Sequence, residues 1–202
     1  LYLGDLQLKI FIVEGSCAKA SHTRLLAKAF AAAMEARDIE TEIWSLLETP
    51  LPFPEAEYHW DFNSTPSEAV RTFGRKVMEA DGLALASPLY HGSFSGVLKS
   101  ALDHLWFDAF KDKPVALLSH GATDKRCAQP CEALMTVVKT MFGYPLQTQV
   151  ATSKAEFDHD DAGDPTALTN DPIRDRLERQ ADEMIRFMAM NLAYDRAMRE
   201  RR

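Results

Sequence analysis

Cysteine is scarce in this chain, with three residues in 202, Cys17, Cys127 and Cys131. An odd and small number argues against a disulfide framework and for a reducing home, the cytoplasm. No apolar run is long enough to span a bilayer. Leu1 to Asp5 carry neither the basic nor the apolar region of a secretory signal, and no initiator Met opens the sequence. Positive charge is also in deficit: 23 Lys and Arg stand against 30 Asp and Glu, a formal net charge of -7. Such a surface repels nucleic-acid backbones and anionic membranes, so neither is an expected partner. A small anionic ligand remains allowed, because a local site can oppose the overall field. The glycine patterns of the dinucleotide fingerprint and the Walker loop are absent. There is no internal repeat and no clear linker. A hydrophobic fraction of 46% supports a sizeable core, and the length suits one domain spanning 1–202.

Apolar runs and helical stripes alternate along the chain. Leu8 to Val13 reads as a strand buried on both faces, and Thr41 to Leu46, Gly82 to Ala86, Val115 to Leu118 and Leu146 to Ala151 read as further strands. Between them, apolar residues recur at helical spacing near 25–34, 67–79, 94–105 and 127–142. Residues 158–171 read as an acidic loop. A last helix begins near Pro172, with Ile173, Leu177, Ala181, Met184, Ile185, Met188 and Leu192 as its stripe and a charged tail from Asp195 that is expected to fray. This order predicts an α/β fold, a flavodoxin-like doubly wound sheet of five parallel strands with helices on both faces. Ligands of such sheets bind beyond the carboxyl ends of the strands, which directs attention to the loops after strands one, three and four.

The first loop runs from Gly15 to Arg24, between a buried strand and a helix. A helix N-terminus presents unpaired N–H groups and partial positive charge, which favour a phosphate. Ser16, Ser21 and Thr23 add hydroxyls, and Lys19 or Arg24 adds charge. Taken alone, the same residues also fit a polar turn with Ser21 as helix cap. The second loop, Ser87 to Lys99, is shaped by Pro88, Gly92 and Gly96, so its backbone can approach a planar ligand. Tyr90 there offers an aromatic face, or else a core side chain. Gly92 to Gly96 is not a serine-hydrolase elbow, since Phe94 stands at its centre.

The run Ser87-Pro88-Leu89-Tyr90-His91-Gly92-Ser93-Phe94-Ser95-Gly96-Val97-Leu98-Lys99, continuing into Ala101-Leu102-Asp103, resembles the NAD(P)H-dependent FMN reductase family of flavodoxin-like proteins. The Gly15–Thr23 loop is similar to that family's phosphate loop, and the resemblance extends to about Asp171. It implies an FMN enzyme of the flavin reductase, quinone reductase or azoreductase kind, a homodimer or homotetramer, with NADPH or NADH as donor and a small-molecule electron acceptor. The Ser93–Lys99 stretch looks most like the flavin-supplying reductases of two-component monooxygenases. By position, the resemblance assigns Ser16, Ser21 and Thr23 to the FMN phosphate; Lys19 and His22 of the same loop are further candidate cofactor-binding residues. It assigns Pro88, Leu89, Tyr90, His91 and Gly92 to the isoalloxazine ring, and Ser119, His120 and Gly121 to a third flavin loop. No catalytic side chain and no metal is implied, because the flavin carries the chemistry. Leu89 stands where Glu is frequent and His91 where Asn is frequent. The third loop lacks paired glycines. Ala18 replaces a common Arg, which predicts a phosphate held by hydroxyls and N–H groups, and an exchangeable FMN.

Other features point less far. Cys17 lies near a helix N-terminus, where a thiol pKa can fall, but it reads better as a small loop residue. Cys127 and Cys131, four apart, lack further metal ligands and read as packing residues. Among His22, His91, His104 and His120, the pair His91 and His120 occupies predicted flavin loops and is the candidate for proton or hydrogen-bond chemistry. Asp158, Asp160, Asp161, Asp164 and Gly163 lack the order of an EF-hand. Phe53, Tyr58, His59, Trp60 and Phe62 suit a flavin cover, a substrate pocket, a subunit interface or a satellite packing cluster. Two further functions fit an FMN site: an electron carrier without small-molecule turnover, whose acidic surface suits a docking partner, and a biosynthetic FMN-dependent dehydrogenase.

Overall fold

The computed structural model describes residues 8–59 and 61–200. Leu1–Asp5 and Trp60, named above, lie outside them. Strands β1 (Lys9–Glu14), β2 (Glu40–Ser45), β3 (Gly82–Pro88) and β4 (Pro114–His120) alternate with helices α1 (His22–Glu35), α2 (Glu68–Glu79) and α3 (Gly96–Leu102). Helix α4 (Gln129–Thr140), the short strands β5 (Tyr144–Pro145), β6 (Val150–Thr152), β7 (Phe157–His159) and β8 (Pro165–Leu168), and helix α5 (Asp171–Glu200) follow.

The main sheet is parallel, in the order β2-β1-β3-β4-β5, with β6 also on β4. This is the doubly wound order expected. Its direction of winding reverses between β1 and β3, and a crevice opens there at the carboxyl ends. Both faces are covered. Ile10 and Ile12 of β1 join Ala84, Ala86, Ala116 and Leu118 beneath α1 and α5, while Phe11 and Val13 join Leu83, Leu85, Val115 and Leu117 beneath α2, α3 and α4. Every residue of β3 and β4 is buried. With both faces buried, the strands appear in the sequence as continuous apolar runs rather than alternating ones.

Three expectations need correction. The fifth strand, expected over 146–151, is split into β5 and β6, with Leu146 to Gln149 outside the ladder except for the Leu146 N–H, which reaches Val115 O at 2.9 Å. Side chains of α5 take over the pairing. The buried Gln180 amide donates to Leu117 O at 3.2 Å and Thr148 O at 2.7 Å. The Glu183 carboxylate accepts from Gln147 N–H at 2.7 Å and Thr148 N–H at 2.9 Å. The stretch expected as an acidic loop is a hairpin, in which Phe157 pairs with Leu168 across a turn held by Asp160. Both of those apolar side chains enter the core beneath α1. The charged tail from Asp195 continues α5 to Glu200. The helix stripe is as expected: Leu177, Ala181, Met184 and Met188 are buried, and Ile173, Ile185 and Leu192 pack beside them. Smaller differences are trims: α3 and α4 are shorter at both ends than their apolar stripes. Among the described residues no helix is long and apolar enough to cross a membrane.

Burial penalises the Glu183 carboxylate, but hydrogen bonds from Thr148 and Gln147 outweigh that and hold it below the ordinary carboxylate range. A depressed carboxyl contributes stability above its unfolded pKa and loses it as pH falls through the folded value. Glu183→Ala is expected to lower stability at pH 7 by about 1 kcal/mol, discounted for its partial exposure. Urea denaturation should show this difference shrinking below pH 4.5, the group's ordinary value.

Candidate functional site

The three loops converge at the crevice. Gly15 begins the first. Its N–H donates to Ala86 O at 2.8 Å, and its carbonyl accepts from Ser95 Oγ at 2.6 Å. A Cβ on Gly15 would lie 2.9 Å from Leu98 Cβ and 3.2 Å from Ala86 O, so only glycine lets the loop sit this close to β3 and α3. Ser95 also caps α3 through Leu98 N–H at 3.3 Å, and its own N–H donates to the buried Ser87 Oγ at 2.9 Å. Ser87 and Ser95 thereby fix the second loop to the first.

Within the first loop, Ser16 is buried. Its N–H donates to Glu14 Oε1 at 3.0 Å, and its hydroxyl accepts from Ala18 N–H at 3.2 Å. Ser21 caps α1, its hydroxyl accepting from Arg24 N–H at 3.1 Å. Thr23 is buried on the first turn. Among the described residues, the N–H groups of His22 and Thr23 meet no backbone or side-chain acceptor. Lys19 is exposed. Arg24, the alternative to Lys19 as a source of charge, is neutralised by Glu14. Its Nε lies 3.4 Å from Glu14 Oε2, and its other nitrogens reach Lys19 O and Ser45 Oγ. Glu14 is fully buried, and burial pushes its carboxyl up against the opposing pull of Arg24, Ser16 and Ser45.

The second loop leaves β3 beside the third. Pro88 pairs in register with His120, and Leu89 N–H donates to His120 O at 2.7 Å. Tyr90 is half exposed and not a core residue; its backbone closes a tight bridge with Ser93. His91 and Gly92 both adopt left-handed conformations, φ 49° and 84°. That is routine for glycine and uncommon for histidine. The side-chain oxygen of Gln129, on the first turn of α4, is buried without a partner and faces Gly92.

In the third loop, Ser119 Oγ donates to Cys127 O at 2.5 Å and accepts from Cys131 Sγ at 3.2 Å. Burial pushes the Cys131 thiol up to about 12, which makes it an inert packing group. Gly121 N–H donates to Thr152 O at 2.9 Å, and a Cβ there would lie 3.0 Å from Cys127 Cα.

Three histidines from α1, β4 and β7 come together. His120 stacks face to face on His22, centroids 4.2 Å apart at 6°, and His22 Nε2 lies 2.9 Å from His159 Nε2. Phe157 meets both His22 and His120 edge-on. His91 is exposed and takes no part in these contacts. Burial first, then His22, Lys154 and His159, depress His120 to about 3, so it is neutral at working pH. The aromatic segment also divides. Phe62 packs on Gly74 of α2, while the exposed Phe53 lines an apolar cleft of about 520 Å3 with Cys17, Leu46, Leu51, Tyr90 and Val97.

A flavin phosphate fits the unpartnered N–H groups and hydroxyls at the start of α1, and a planar ring fits the orphaned Gln129 oxygen and the cleft beside Tyr90. The fold agrees with that of solved flavin oxidoreductases. An NADH:FMN oxidoreductase (EmoB, apo form) superposes with TM-score 0.71 at 22% identity, covering 91% of this chain and 90% of the other. The flavoenzyme NAD(P)H:(acceptor) oxidoreductase FerB of Paracoccus denitrificans gives 0.69 at 18%, with 92% and 98% covered. These likenesses define the fold class, a flavodoxin-like doubly wound sheet. The particular family follows from sequence: residues 8–157 match NADPH-dependent FMN reductase, and the chain belongs to that family. The FMN-dependent NADPH-azoreductase of Staphylococcus haemolyticus is 34% identical over 187 residues, covering 90% of this chain and 95% of the relative.

Glu14, Ser45, Ser87, Ser95, Gln129 and His159 are absent from the sequence-based site. Glu14 follows an apolar run and reads as a strand end, Ser45 falls within the strand expected over 41–46, and Ser87 and Ser95 lie in a loop already rich in hydroxyls. Ser95→Ala would leave the Gly15 carbonyl and Leu98 N–H without their partner. It is expected to cost about 1–2 kcal/mol in urea denaturation.

Proposed function

We propose that the chain is an FMN-dependent reductase that draws electrons from NADPH or NADH and delivers them to a flavin, quinone or azo-type acceptor. The observation that carries this reading is the junction of the three loops. Family membership supplies the cofactor class, and the convergence of the three loops supports the following assignment of its parts. Ser21, Thr23 and the free N–H groups of His22 and Thr23 hold the phosphate, with Lys19 as the available cation. Ser16 supports them from below through Ala18 and Glu14. Pro88 to Gly92 and Ser119 to Gly121 present backbone to the ring, and Gln129 accepts from it. FMN, when bound, supplies hydride acceptance from nicotinamide and electron delivery to the acceptor. The protein orients the two substrates and excludes water. Phe53, Leu51 and Val97 give a planar acceptor an apolar wall.

The same reading includes one domain across the chain, a cytoplasmic location and a homodimer or homotetramer. The cytoplasm supplies NAD(P)H and keeps the three free thiols reduced. Phe107 and Phe142, each about half exposed and touching edge-on at 5.9 Å, provide apolar surface for a subunit contact. Sedimentation velocity tests the assembly.

Anaerobic mixing of FMN-loaded protein with NADPH, then NADH, should bleach the flavin absorbance. No bleaching by either nucleotide would refute the reductase reading, and bleaching without turnover of any small acceptor would leave an electron carrier. Ser21→Ala removes both a cap and a phosphate donor. It should raise the FMN Kd about tenfold, the worth of one hydrogen bond, and leave riboflavin affinity nearly unchanged in fluorescence titrations.

A further inference from the structure

The phosphate end of the site is poor in fixed positive charge. Arg24 is committed to the buried Glu14, Ala18 is neutral, and Lys19 is an exposed cation. Beside the first turn of α1, however, three imidazoles are packed. His120, from β4, is buried and hydrogen bonded at Nδ1 to Thr152 of β6 at 3.3 Å. His22, the first residue of α1, stacks on it. His159, exposed on β7, faces His22 nitrogen to nitrogen at 2.9 Å. Phe157 closes the side of the stack, and Lys154, before β7, is the cation whose field reaches the cluster.

A 2.9 Å Nε2···Nε2 separation is a hydrogen bond only if one nitrogen carries a proton and the other does not. The neutral pair therefore holds one shared proton. One further proton, the third on the two rings, can enter at Nδ1 of the donor ring without breaking that bond, which then becomes charge-assisted. The backbone N–H of His22 is one of the two free groups facing the phosphate position, so the ring of the same residue is within reach of the phosphate's field.

Resting on the FMN reading above, we propose that the His22–His159 pair is a proton-loaded counter-charge for the flavin phosphate, so that FMN binding takes up a proton from solvent at these two rings. In the free protein, burial first, then His159 and Lys154, hold the His22 ring below the ordinary imidazole range, so it is neutral at pH 7.5. The phosphate dianion reverses that balance. His120 stays neutral and acts as the stacking platform. Linkage then requires FMN affinity to weaken as pH rises through the bound pair's titration, by up to about tenfold per pH unit for one proton. A phosphate monoester loses its second proton near pH 6, so its own titration is complete before this range.

Calorimetric titration at pH 7.5 in two buffers of different ionisation enthalpy counts the protons. Wild type should take up a sizeable fraction of one proton with FMN and none with riboflavin. His159→Gln and His22→Gln should each lose that uptake and show a flat Kd between pH 7 and 8.5. Equal uptake in wild type and both variants would overturn the proposal while leaving the flavin assignment intact. Failure of wild type to bind FMN at any pH would overturn both. Should a variant misfold, ring 15N shifts of the wild-type histidines give the same answer: FMN should move them to imidazolium values, and unchanged shifts would overturn the inference.

Discussion

The hydroxyl of Ser95 holds this site together. It donates to the Gly15 carbonyl at 2.6 Å and accepts from the first turn of α3, while the Ser95 N–H is bound by Ser87. The first and second loops, eighty residues apart in sequence, are thus tied directly to each other. Both neighbours depend on glycine at position 15, because a side chain there would strike Leu98 and Ala86. A bound flavin must be gripped at its phosphate and its ring simultaneously, and a fixed distance between the two grips limits the ordering entropy of binding.

Charge at the crevice follows an unexpected arrangement. The sole Arg of the first loop faces inward to Glu14 rather than outward to a ligand. A fully buried carboxylate requires a partner, and the Arg24 guanidinium with the Ser16 N–H and the Ser45 hydroxyl supply it. That leaves backbone dipoles, hydroxyls, Lys19 and the histidine cluster to oppose a phosphate. Such a site holds an anion with little fixed charge, consistent with the acidic surface elsewhere.

The opposite edge of the sheet is equally constrained. The interruption between β5 and β6 would strand backbone groups, and α5 carries Gln180 and Glu183 to receive them. The terminal helix is therefore part of the sheet's hydrogen-bonding scheme as well as a cover over its apolar face. The hairpin that precedes it brings Phe157 into the core and His159 to His22.

Alternating apolar runs and helical stripes were enough to establish the strand order class, the helix faces and the location of the three loops, because those depend on residues near one another in sequence. The Pro88–Lys99 run carried the family resemblance for the same reason. The sequence could not show the split fifth strand, whose missing pairs are supplied from thirty residues away, or the hairpin, whose polar turn hides two core residues. Nor could it separate Arg24 from Lys19 as phosphate cations, since that depends on a carboxylate ten residues earlier being buried. It also could not show that His22 meets both His120 and His159. Loop membership is a local property, whereas which rings stack is decided by where β4, α1 and β7 meet. Short-range pattern determined the elements and the cofactor class; long-range packing alone decided which charges are free and which histidines touch.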